Sequence, residues 1–296
     1  MNTSSAFVAI VGRPNVGKSS LMNYIMEEKI AIVSDKPQTT RTRIMGVLTK
    51  DAVQLVFIDT PGLHKPKNKL GEYMVQQVEN SIGDVDLIVM VSEALGDITT
   101  AEKKLIENIQ ASGLPAILVL NKIDAIKQKD EMMPKLEAFS QMYKFEDIIP
   151  ISALAGDGVD ILLQKLTSYA EPGPHFFPDD TLTDQPERVI VSEIVREKIL
   201  INMRDEIPHG TAVAIEQMKE RDGRQIMDID VTIMCEKSSH KGMIIGKNGA
   251  MLKKIATDAR KDIETFLEVK VNLQCWVKVK EDWRNKEMTM KSLGFQ

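Results

Sequence analysis

Eight consecutive residues near the N-terminus have the types and the spacing that surround phosphate groups. They run Gly12-Arg-Pro-Asn-Val-Gly-Lys-Ser19 and match the pattern Gly-x-x-x-x-Gly-Lys-Ser. The glycines of such a loop let main-chain N–H groups point at phosphate oxygens. Lys18 is expected to reach the β- and γ-phosphates, and the Ser19 hydroxyl is expected to ligate Mg²⁺. Alone, the loop predicts a nucleoside triphosphate without specifying the base.

Two further segments could complete a magnesium site. An Asp-Thr-Pro-Gly motif follows an apolar run, and it predicts that Asp59 approaches the metal through water while the Gly62 N–H approaches the γ-phosphate. Upstream lies the polar segment 36–43, which contains adjacent threonines. One of them could join the Mg²⁺ shell while GTP is bound. We favour Thr40, and the sequence leaves Thr39 open.

A third set of residues suits the recognition of guanine. Asp124 ends an Asn-Lys-Ile-Asp motif, and its carboxylate can accept two hydrogen bonds from guanine, a donor pair that adenine lacks. Asn121 is expected to brace the loop, and the stem of Lys122 to cover the base. Ser152 and Ala153 follow the next apolar run, where a main-chain N–H could meet the guanine oxygen.

Apolar runs precede these motifs and are predicted to be buried strands. The strand candidates are 7–11, 55–58, 87–91, 117–120 and 148–151. Helix candidates lie between and after them, at 19–28, 70–80, 100–111, 131–142 and 159–170. This alternation is typical of a mostly parallel sheet with both faces covered, where ligands bind at the carboxyl ends of the strands. We therefore predict an α/β nucleotide-binding domain over residues 1–172.

The remaining sequence predicts a linker and a smaller α+β domain. Residues 173–186 are rich in proline and are interpreted as a stiff linker, and residues 187–296 as the second domain. Its elements are predicted as a helix at 189–200, a hairpin of 211–219 and 226–234, a short helix, a long helix and a strand at 269–280. The apolar face of the long helix is predicted to contain Leu252, Ile255, Ala256, Ala259, Ile263 and Phe266.

A glycine-rich turn, Gly246-Lys-Asn-Gly249, lies between the two helices of this second domain. It sits within residues 237–254, a stretch that holds five lysines and no acidic residue although the whole chain has a net charge of −5. A local basic patch on an acidic protein favours a polyanionic partner at that place. A solvated helix face is the alternative.

The composition bears on the compartment. The two cysteines, Cys235 and Cys275, fit neither a metal spacing nor a disulfide framework, which favours a reducing environment. The N-terminus does not have the pattern of a signal peptide, and no apolar run has the length of a membrane span. We expect a cytoplasmic protein, with peripheral contact to the inner face of the cell membrane left open.

The motifs of about residues 6–170 resemble the small GTPase superfamily, and the full set is most similar to the Era-like GTPases. The segments that carry this resemblance are 12–19, Gln-Thr-Thr-Arg at 38–41, Asp-Thr-Pro-Gly-Leu-His at 59–64, Asn-Lys-Ile-Asp at 121–124 and Ser-Ala-Leu-x-Gly-x-Gly at 152–158. The element order and the Gly-x-x-Gly turn of residues 187–296 resemble the type II KH domain with which Era-like proteins end.

The resemblance implies GTP hydrolysis at a slow intrinsic rate. Leu63 stands where Ras-like enzymes have the glutamine that orients the attacking water. Asn15 is a candidate K⁺ ligand, as in potassium-stimulated relatives, and bracing of the loop is the alternative reading. His64 is adjacent to the motif, which is weak support for a catalytic base. The phosphate-binding set is predicted as Gly12, Arg13, Pro14, Asn15, Val16, Gly17, Lys18, Ser19 and Gly62.

The resemblance also implies an RNA partner. A KH loop clamps the backbone of about four nucleotides, and the Era-like family implies a single-stranded target near the 3′ end of small-subunit ribosomal RNA, with a role in assembly of that subunit by a monomer. The predicted RNA contacts are Lys241, Ile244, Ile245, Gly246, Lys247, Asn248 and Gly249. Two alternatives remain: an RNA chaperone that uses GTP as a conformational ligand, and an ATPase or kinase, which Asp124 disfavours.

Overall fold

The computed structural model of the protein describes residues 3–36, 38–62, 68–83, 85–221, 223 and 225–295. These residues form two compact units. The first contains the described residues within Met1–Ala31, Thr40–Lys65 and Met74–Asp184, and the second those within Ile32–Thr39, Pro66–Tyr73 and Gln185–Gln296. Within the described part of the chain, no helix is both long and apolar enough to cross a membrane.

A mostly parallel sheet forms the centre of the first unit. Its strands are β1 (Ser4–Val11), β2 (Ile44–Lys50), β3 (Val53–Asp59), β4 (Leu87–Glu93), β5 (Ala116–Asn121), β6 (Asp147–Pro150) and β7 (Glu171–Pro172). The order is β2-β3-β1-β4-β5-β6, and β7 pairs with β1. Strands β3, β1, β4, β5 and β6 run parallel, whereas β2 is antiparallel to β3 and β7 to β1. The predicted α/β fold is confirmed, and β2 is a strand that the apolar pattern did not predict.

Helices cover this sheet. They are α1 (Lys18–Met26), α2 (Lys69–Gly83), α3 (Thr100–Ser112), α4 (Met133–Met142) and α5 (Val159–Thr167). Side chains of β1 alternate between the two faces, as in any strand. Val8 and Ile10 pack with residues of α1 and α5, whereas Ala9 and Val11 pack with residues of α3 and α4. Because both faces are apolar, the polar residues that matter for chemistry lie at the strand ends.

Residues 173–184, which the sequence assigned to a linker, run along the first unit. The buried amide of Gln54 in β3 accepts hydrogen bonds from the main-chain N–H groups of Phe176 (2.8 Å) and Phe177 (3.0 Å), and donates one to the Phe177 carbonyl (2.9 Å). Further along, the N–H of Val47 in β2 donates to the Leu182 carbonyl at 2.9 Å. The main chain of this segment therefore has fixed partners on β3 and β2.

The second unit has the predicted order of elements. They are α6 (Glu187–Asn202), β8 (Ala212–Glu220), β9 (Ile226–Cys235), α7 (Ser238–Ile245), α8 (Ala250–Leu267), β10 (Lys270–Val279) and α9 (Glu287–Ser292). The sheet order is β10-β9-β8, with β8 antiparallel and β10 parallel to β9. Its core joins Ile194 of α6, Val231 of β9 and Ile263 of α8. The smaller α+β domain is thus confirmed, with α9 as an addition.

Residues 32–39, between α1 and β2, cluster with this second unit through contacts to α6. The main-chain N–H of Val33 donates to Glu197 Oε1 at 3.0 Å. The Lys36 ammonium donates to the carbonyls of Leu200 and Met203 at the end of α6, where the helix dipole favours a cation. A segment that the sequence placed beside the phosphate loop therefore has partners on the first helix of the second unit.

Candidate functional site

The phosphate loop connects the carboxyl end of β1 to the first residue of α1. Gly17 has φ +100°, and a Cβ at this position would lie 2.1 Å from Asn121 Nδ2, so a side chain there would displace the Asn121 amide. Helix α1 begins directly after Gly17, and the free N–H groups of its first turn suit an anion. This loop, between β1 and α1, is the segment for which the sequence predicts phosphate binding.

Lys18 is buried at the start of α1, and its ammonium donates to the main-chain carbonyls of Gly12 (3.1 Å) and Arg13 (3.2 Å). Burial lowers the pKa of Lys18, while the nearby charge of Asp59 opposes that shift. A buried cation of this kind is most stable with anionic partners. The position of Lys18 inside the loop is the one that a phosphate-binding lysine requires.

Three oxygen-bearing side chains converge beside this lysine. Ser19 Oγ lies 2.9 Å from Thr40 Oγ1 and donates to Asp59 Oδ2 at 2.8 Å, and Thr40 Oγ1 is 3.4 Å from the same Oδ2. Among the described residues, the buried Asp59 Oδ1 has no hydrogen-bond donor. Two hydroxyls and a carboxylate are hard donors of the type that Mg²⁺ prefers. The three residues therefore fit a magnesium ion.

The ionisation of Asp59 is consistent with a cation at this place. Burial raises the pKa of Asp59, and the charge of Lys18 with the hydroxyls of Ser19 and Thr40 opposes that rise. A divalent cation beside the carboxylate would offset the desolvation. Thr39 faces elsewhere, because its hydroxyl donates to the Lys36 carbonyl at 2.7 Å. The geometry thus favours Thr40 over its neighbour.

The loop after β3 lies against the phosphate loop. A Cβ at Gly62 would be 2.6 Å from the main-chain nitrogen of Pro14, so the two loops touch through their main chains. Asn15 is exposed at the tip of the phosphate loop with φ +65°. Leu63 and His64, the residues for which the sequence predicts effects on hydrolysis, lie outside the described residues.

Asn121 connects the phosphate loop to the two loops predicted to read the base. Its Nδ2 donates to the Val16 carbonyl at 2.7 Å, and its Oδ1 accepts from the Ala153 N–H at 2.9 Å. Ser152, at the carboxyl end of the next strand, donates from Oγ to Asp124 Oδ1 at 2.6 Å. The carboxylate of Asp124, which is expected to bind guanine, is therefore exposed to a ligand, and the hydrogen bond from Ser152 orients it. Asn121, Asp124, Ser152 and Ala153 thus lie together, beside Val16 of the phosphate loop.

The sequence reading missed Glu93 at the end of β4. Its carboxylate forms ion pairs with Arg13 and Lys122. Glu93 belongs to none of the motifs. Its position at the end of a strand between two motif-bearing strands was the available signal, since neighbouring parallel strands bring their carboxyl ends together.

The Gly-x-x-Gly turn lies between α7 and α8 in the second unit. Gly246 has φ +72°, and a Cβ there would lie 2.7 Å from the Cβ of Met251. Lys247 and Asn248 are exposed, while Lys241 and Ile245 are partly exposed. The prediction that Ile244 contacts RNA needs correction, because its side chain has no exposed surface and packs in the core.

The basic character of this region persists in three dimensions. Among the described residues, no carboxylate forms an ion pair with any lysine of the stretch: Lys237, Lys241, Lys247, Lys253 and Lys254. Lysines that form no ion pair within the described residues can offer their charge to a polyanion. Met243 of α7 is 54% exposed beside them, and it adds an apolar contact that the sequence reading did not include.

Comparison with known proteins gives concordant matches over both units. The family model of a 50S ribosome-binding GTPase matches residues 7–122, and that of a KH domain matches residues 206–284. The chain is 52% identical over 291 residues to a protein named GTPase Era from Clostridioides difficile strain 630, with 98% of each chain covered. It is 50% identical over 296 residues to GTPase Era of Ruminiclostridium cellulolyticum, covering 100% of this chain and 99% of that one.

Solved structures agree over the whole chain. A crystal structure of a variant of Aquifex aeolicus Era bound to GDP and AlF₄⁻ matches with a TM-score of 0.95 and 36% identity, and covers 99% of both chains. A crystal structure of Era in complex with MgGDPNP and nucleotides 1506–1542 of 16S ribosomal RNA matches with the same TM-score, identity and coverage.

Proposed function

Because the chain belongs to the Era family of GTPases, we propose that it is a molecular switch that binds and hydrolyses GTP with Mg²⁺ and binds the 3′ end of small-subunit ribosomal RNA. The switch would act in assembly of the small ribosomal subunit. The observation that carries the proposal is the convergence of Ser19, Thr40 and Asp59 beside Lys18, on the same edge of the sheet as Asp124.

Each residue of the phosphate site has a distinct task in this proposal. Lys18 neutralises phosphate charge, and the N–H groups of the loop and of α1 bind the remaining oxygens. Ser19 and Thr40 would hold the metal directly, and Asp59 through water. When bound, Mg²⁺ supplies charge stabilisation for the phosphoryl oxygens. Thr40 belongs to the segment that should loosen once the γ-phosphate has left.

Asp124 gives the site its preference for guanine. Its carboxylate accepts from two donors of guanine, whereas adenine would leave a carboxylate oxygen without a partner. The 2.6 Å hydrogen bond from Ser152 supports this role by orienting the carboxylate. Lys122 would cover one face of the base, and the N–H of Ala153 or a neighbour would meet the guanine oxygen.

Hydrolysis should be slow without an activator, because position 63 holds leucine. We include Asn15 as a K⁺ ligand in the proposal, supported by its exposed position at the tip of the phosphate loop. The test is GTP turnover in KCl and in NaCl, for wild type and Asn15→Ala. Equal rates of the wild type in both salts would remove K⁺ from the proposal.

The second unit would bind RNA through its Gly-x-x-Gly turn. Contact with the RNA phosphate backbone is supported by the exposed Lys247 and by Lys241, Lys253 and Lys254, for which the described part of the chain shows no ion pair. The turn allows that backbone to approach closely. The solved Era complex contains nucleotides 1506–1542 of 16S ribosomal RNA, and we propose the corresponding 3′-end segment as the target of this chain.

Binding should be tested with a single-stranded oligonucleotide of that 3′ end. Lys247→Ala should lower the affinity and reduce the slope of log affinity against log salt by about one unit, since one phosphate contact is lost. Lys261→Ala, on the exposed side of α8 beyond the basic stretch, is the matched control and should leave both quantities unchanged. An unchanged salt slope for Lys247→Ala would place the RNA elsewhere.

The principal experiment measures phosphate release from GTP and from ATP, with and without the RNA oligonucleotide. We expect phosphate release from GTP and none from ATP, and we expect the RNA oligonucleotide to accelerate release from GTP. Lys18→Ala should abolish release from GTP with and without RNA. GTP binding without phosphate release under any condition would favour the second candidate, an RNA chaperone that uses GTP as a conformational ligand. The leucine at position 63 is what supports that candidate.

We also propose that the protein is a monomer in the cytoplasm and that a fraction of its molecules associates peripherally with the inner face of the cell membrane. Lys270 and Lys278 of β10 support contact with an anionic surface, because their side chains are 78% and 65% exposed. Each ammonium also lies 3.9 Å from a carboxylate oxygen, that of Glu264 and that of Glu216 respectively. Co-sedimentation with anionic and neutral vesicles tests this. No difference between the two vesicle types would confine the protein to the cytoplasm.

A further inference from the structure

Glu93 contacts both the phosphate loop and the guanine-recognition loop. Its Oε2 accepts a hydrogen bond from the Arg13 guanidinium, and its Oε1 accepts one from the Lys122 ammonium. The side chains of Glu93, Arg13 and Lys122 are 27%, 27% and 42% exposed. The cluster is therefore partly shielded from water, which strengthens ion pairs relative to fully exposed ones.

The order of the strands explains why this carboxylate can reach both loops. Strand β4 lies between β1 and β5. Arg13 follows the end of β1, Lys122 follows the end of β5, and Glu93 is the last residue of β4, opposite Asn121 in the register. A side chain at this position is central to the two loops that bind opposite ends of a nucleotide.

A second acidic residue, the buried Glu102, caps the start of α3. Its carboxylate accepts from Ser92 Oγ at 2.5 Å, from the Thr99 N–H at 2.8 Å and from Thr99 Oγ1 at 2.7 Å. These contacts form the capping box at the start of α3. Arg13 Nε is 3.6 Å from Glu102 Oε1, beyond hydrogen-bond distance. Glu93 is outside this capping arrangement, and both of its oxygens face the loops.

The hydrogen bond to Glu93 restricts the side chain of Lys122. It has φ +68° and precedes the turn Ile123–Ala125 that carries Asp124. A lysine side chain that is already held in place loses less rotamer entropy when a ligand packs against its stem. The same carboxylate holds Arg13, so the spacing between the two loops is set before a nucleotide arrives.

We propose that Glu93 is a positioning residue that sets the affinity for guanine nucleotides, by holding the Lys122 stem beside the base and the Arg13 end of the phosphate loop at a fixed separation. This rests on the proposed nucleotide-binding function. GDP and GTP share the base and the first two phosphates, so the affinities for both depend on Glu93 to the same degree. The turnover of bound GTP does not depend on it, because Glu93 touches neither the metal ligands nor Lys18.

The carboxylate is charged over the working pH range. Burial opposes ionisation of Glu93, but the hydrogen bond and charge of Lys122, with those of Arg13, outweigh burial and lower the pKa. The tie between the loops is thus an ionic one, and the neutral isostere Glu93→Gln breaks it with little change of shape.

The test compares Glu93→Gln, Glu93→Asp and the control Glu107→Gln, an exposed residue of α3 that loses the same charge. Dissociation constants of GDP and a GTP analogue, kcat and KM for GTP, and the Tm of the nucleotide-free protein are measured. We expect Glu93→Gln to raise both dissociation constants about five- to tenfold with kcat and Tm unchanged. Glu93→Asp should recover part of the affinity, and the control should match the wild type.

A double-mutant cycle isolates the tie. Lys122→Met keeps the stem and removes the charge, so the effects of Glu93→Gln and Lys122→Met should be clearly less than additive. Additive effects, unchanged dissociation constants, or a fall in kcat at constant affinity would each overturn the proposal. A loss of Tm that accounts for the weaker binding would do the same. Failure of the wild type to bind guanine nucleotides would instead reject the proposed function.

Discussion

The guanidinium of Arg196 in α6 donates a hydrogen bond to the main-chain carbonyl of Thr39, within the second unit. Arg196 is buried, and Glu193 one turn earlier holds it by a second contact. Thr39 is covalently followed by Thr40, whose hydroxyl meets Ser19 and Asp59. One peptide bond therefore separates a residue that is bonded to α6 from a candidate metal ligand.

This relationship predicts that Arg196→Lys weakens the link between nucleotide state and RNA affinity. Lysine keeps the charge, but it lacks the planar guanidinium that donates to the Thr39 carbonyl and to Glu193 at the same time. RNA affinity measured with GDP and with a GTP analogue should differ in the wild type and differ less in the variant. Arg260→Lys, on the exposed side of α8, is the control. Equal RNA affinities of the wild type in both nucleotide states would rule out the coupling itself.

Thr40→Val should slow GTP hydrolysis and reduce the degree to which Mg²⁺ strengthens GTP binding. The reason is that valine lacks the hydroxyl that lies 2.9 Å from Ser19 Oγ. We expect a loss of at least about tenfold in kcat/KM, corresponding to about 1.4 kcal/mol. Thr39→Val is the matched control, since its hydroxyl bonds Ser34 and the Lys36 carbonyl instead. Magnesium titrations of both variants decide the matter. A larger defect in Thr39→Val would reverse the assignment.

Ser152→Ala should weaken the binding of guanine nucleotides by about tenfold, because a hydrogen bond to a charged group contributes about 1.5–3 kcal/mol. The bound nucleotide would replace part of that contribution. The bond in question joins Ser152 Oγ to Asp124 Oδ1 at 2.6 Å. Calorimetric binding of GDP measures the loss. The substitution Asp124→Asn is the companion test, and it should shift the preference from guanine to xanthine, whose carbonyl replaces the amine as the partner. Undiminished GDP affinity in both variants would separate this loop from the base.

Stability should depend on pH through His175. Its Nδ1 lies 2.7 Å from Asp179 Oδ1 and its Nε2 lies 3.2 Å from the Ala52 carbonyl, so both ring nitrogens face acceptors. The hydrogen bond to Asp179, and then that to Ala52, raise the pKa of His175 above its usual 6.5. A raised pKa adds stability that is complete below the unfolded value and lost as pH rises through the folded value.

The measurement is Tm as a function of pH from about 5 to 9, with the ring titration followed by NMR. We expect His175→Ala to remove one component of the decline in Tm at neutral to slightly alkaline pH. Asp179→Asn should shift that decline to lower pH, because the strongest acceptor has lost its charge. A titration of His175 at or below its usual pKa would contradict the geometry.

Much of the nucleotide site could be predicted because each motif directly follows a strand, and parallel strands bring their carboxyl ends together. The sequence could not decide between Thr39 and Thr40 as the metal ligand. The two residues are of the same type, and only the course of the main chain determines which hydroxyl points towards Ser19 and Asp59. Glu93 was not predicted as a site residue because it belongs to no known sequence motif, although the strand that it ends was predicted. Strand β2 escaped because it follows a polar segment and contains Gly46, which weakens an apolar pattern.

The second unit followed the predicted order more closely than the predicted contacts. Ile244 and Ile245 were both assigned to an RNA groove, yet neighbouring helical residues point about 100° apart. Ile244 is fully buried, whereas Ile245 is partly exposed and packs against the same core. A helical-wheel argument applied to α7 would have separated the two.

The path of residues 173–184 has a consequence for aggregation. Strand β2 is the last strand on its side of the sheet, and an uncovered edge strand offers its N–H and C=O groups to another molecule. The bond from the Val47 N–H to Leu182, and that from the Thr183 hydroxyl to the Met45 carbonyl (2.6 Å), occupy groups on this edge. A shortened chain that stops at Pro172 would leave these groups open for intermolecular β-pairing, whereas one that extends through Asp184 would stay guarded against it.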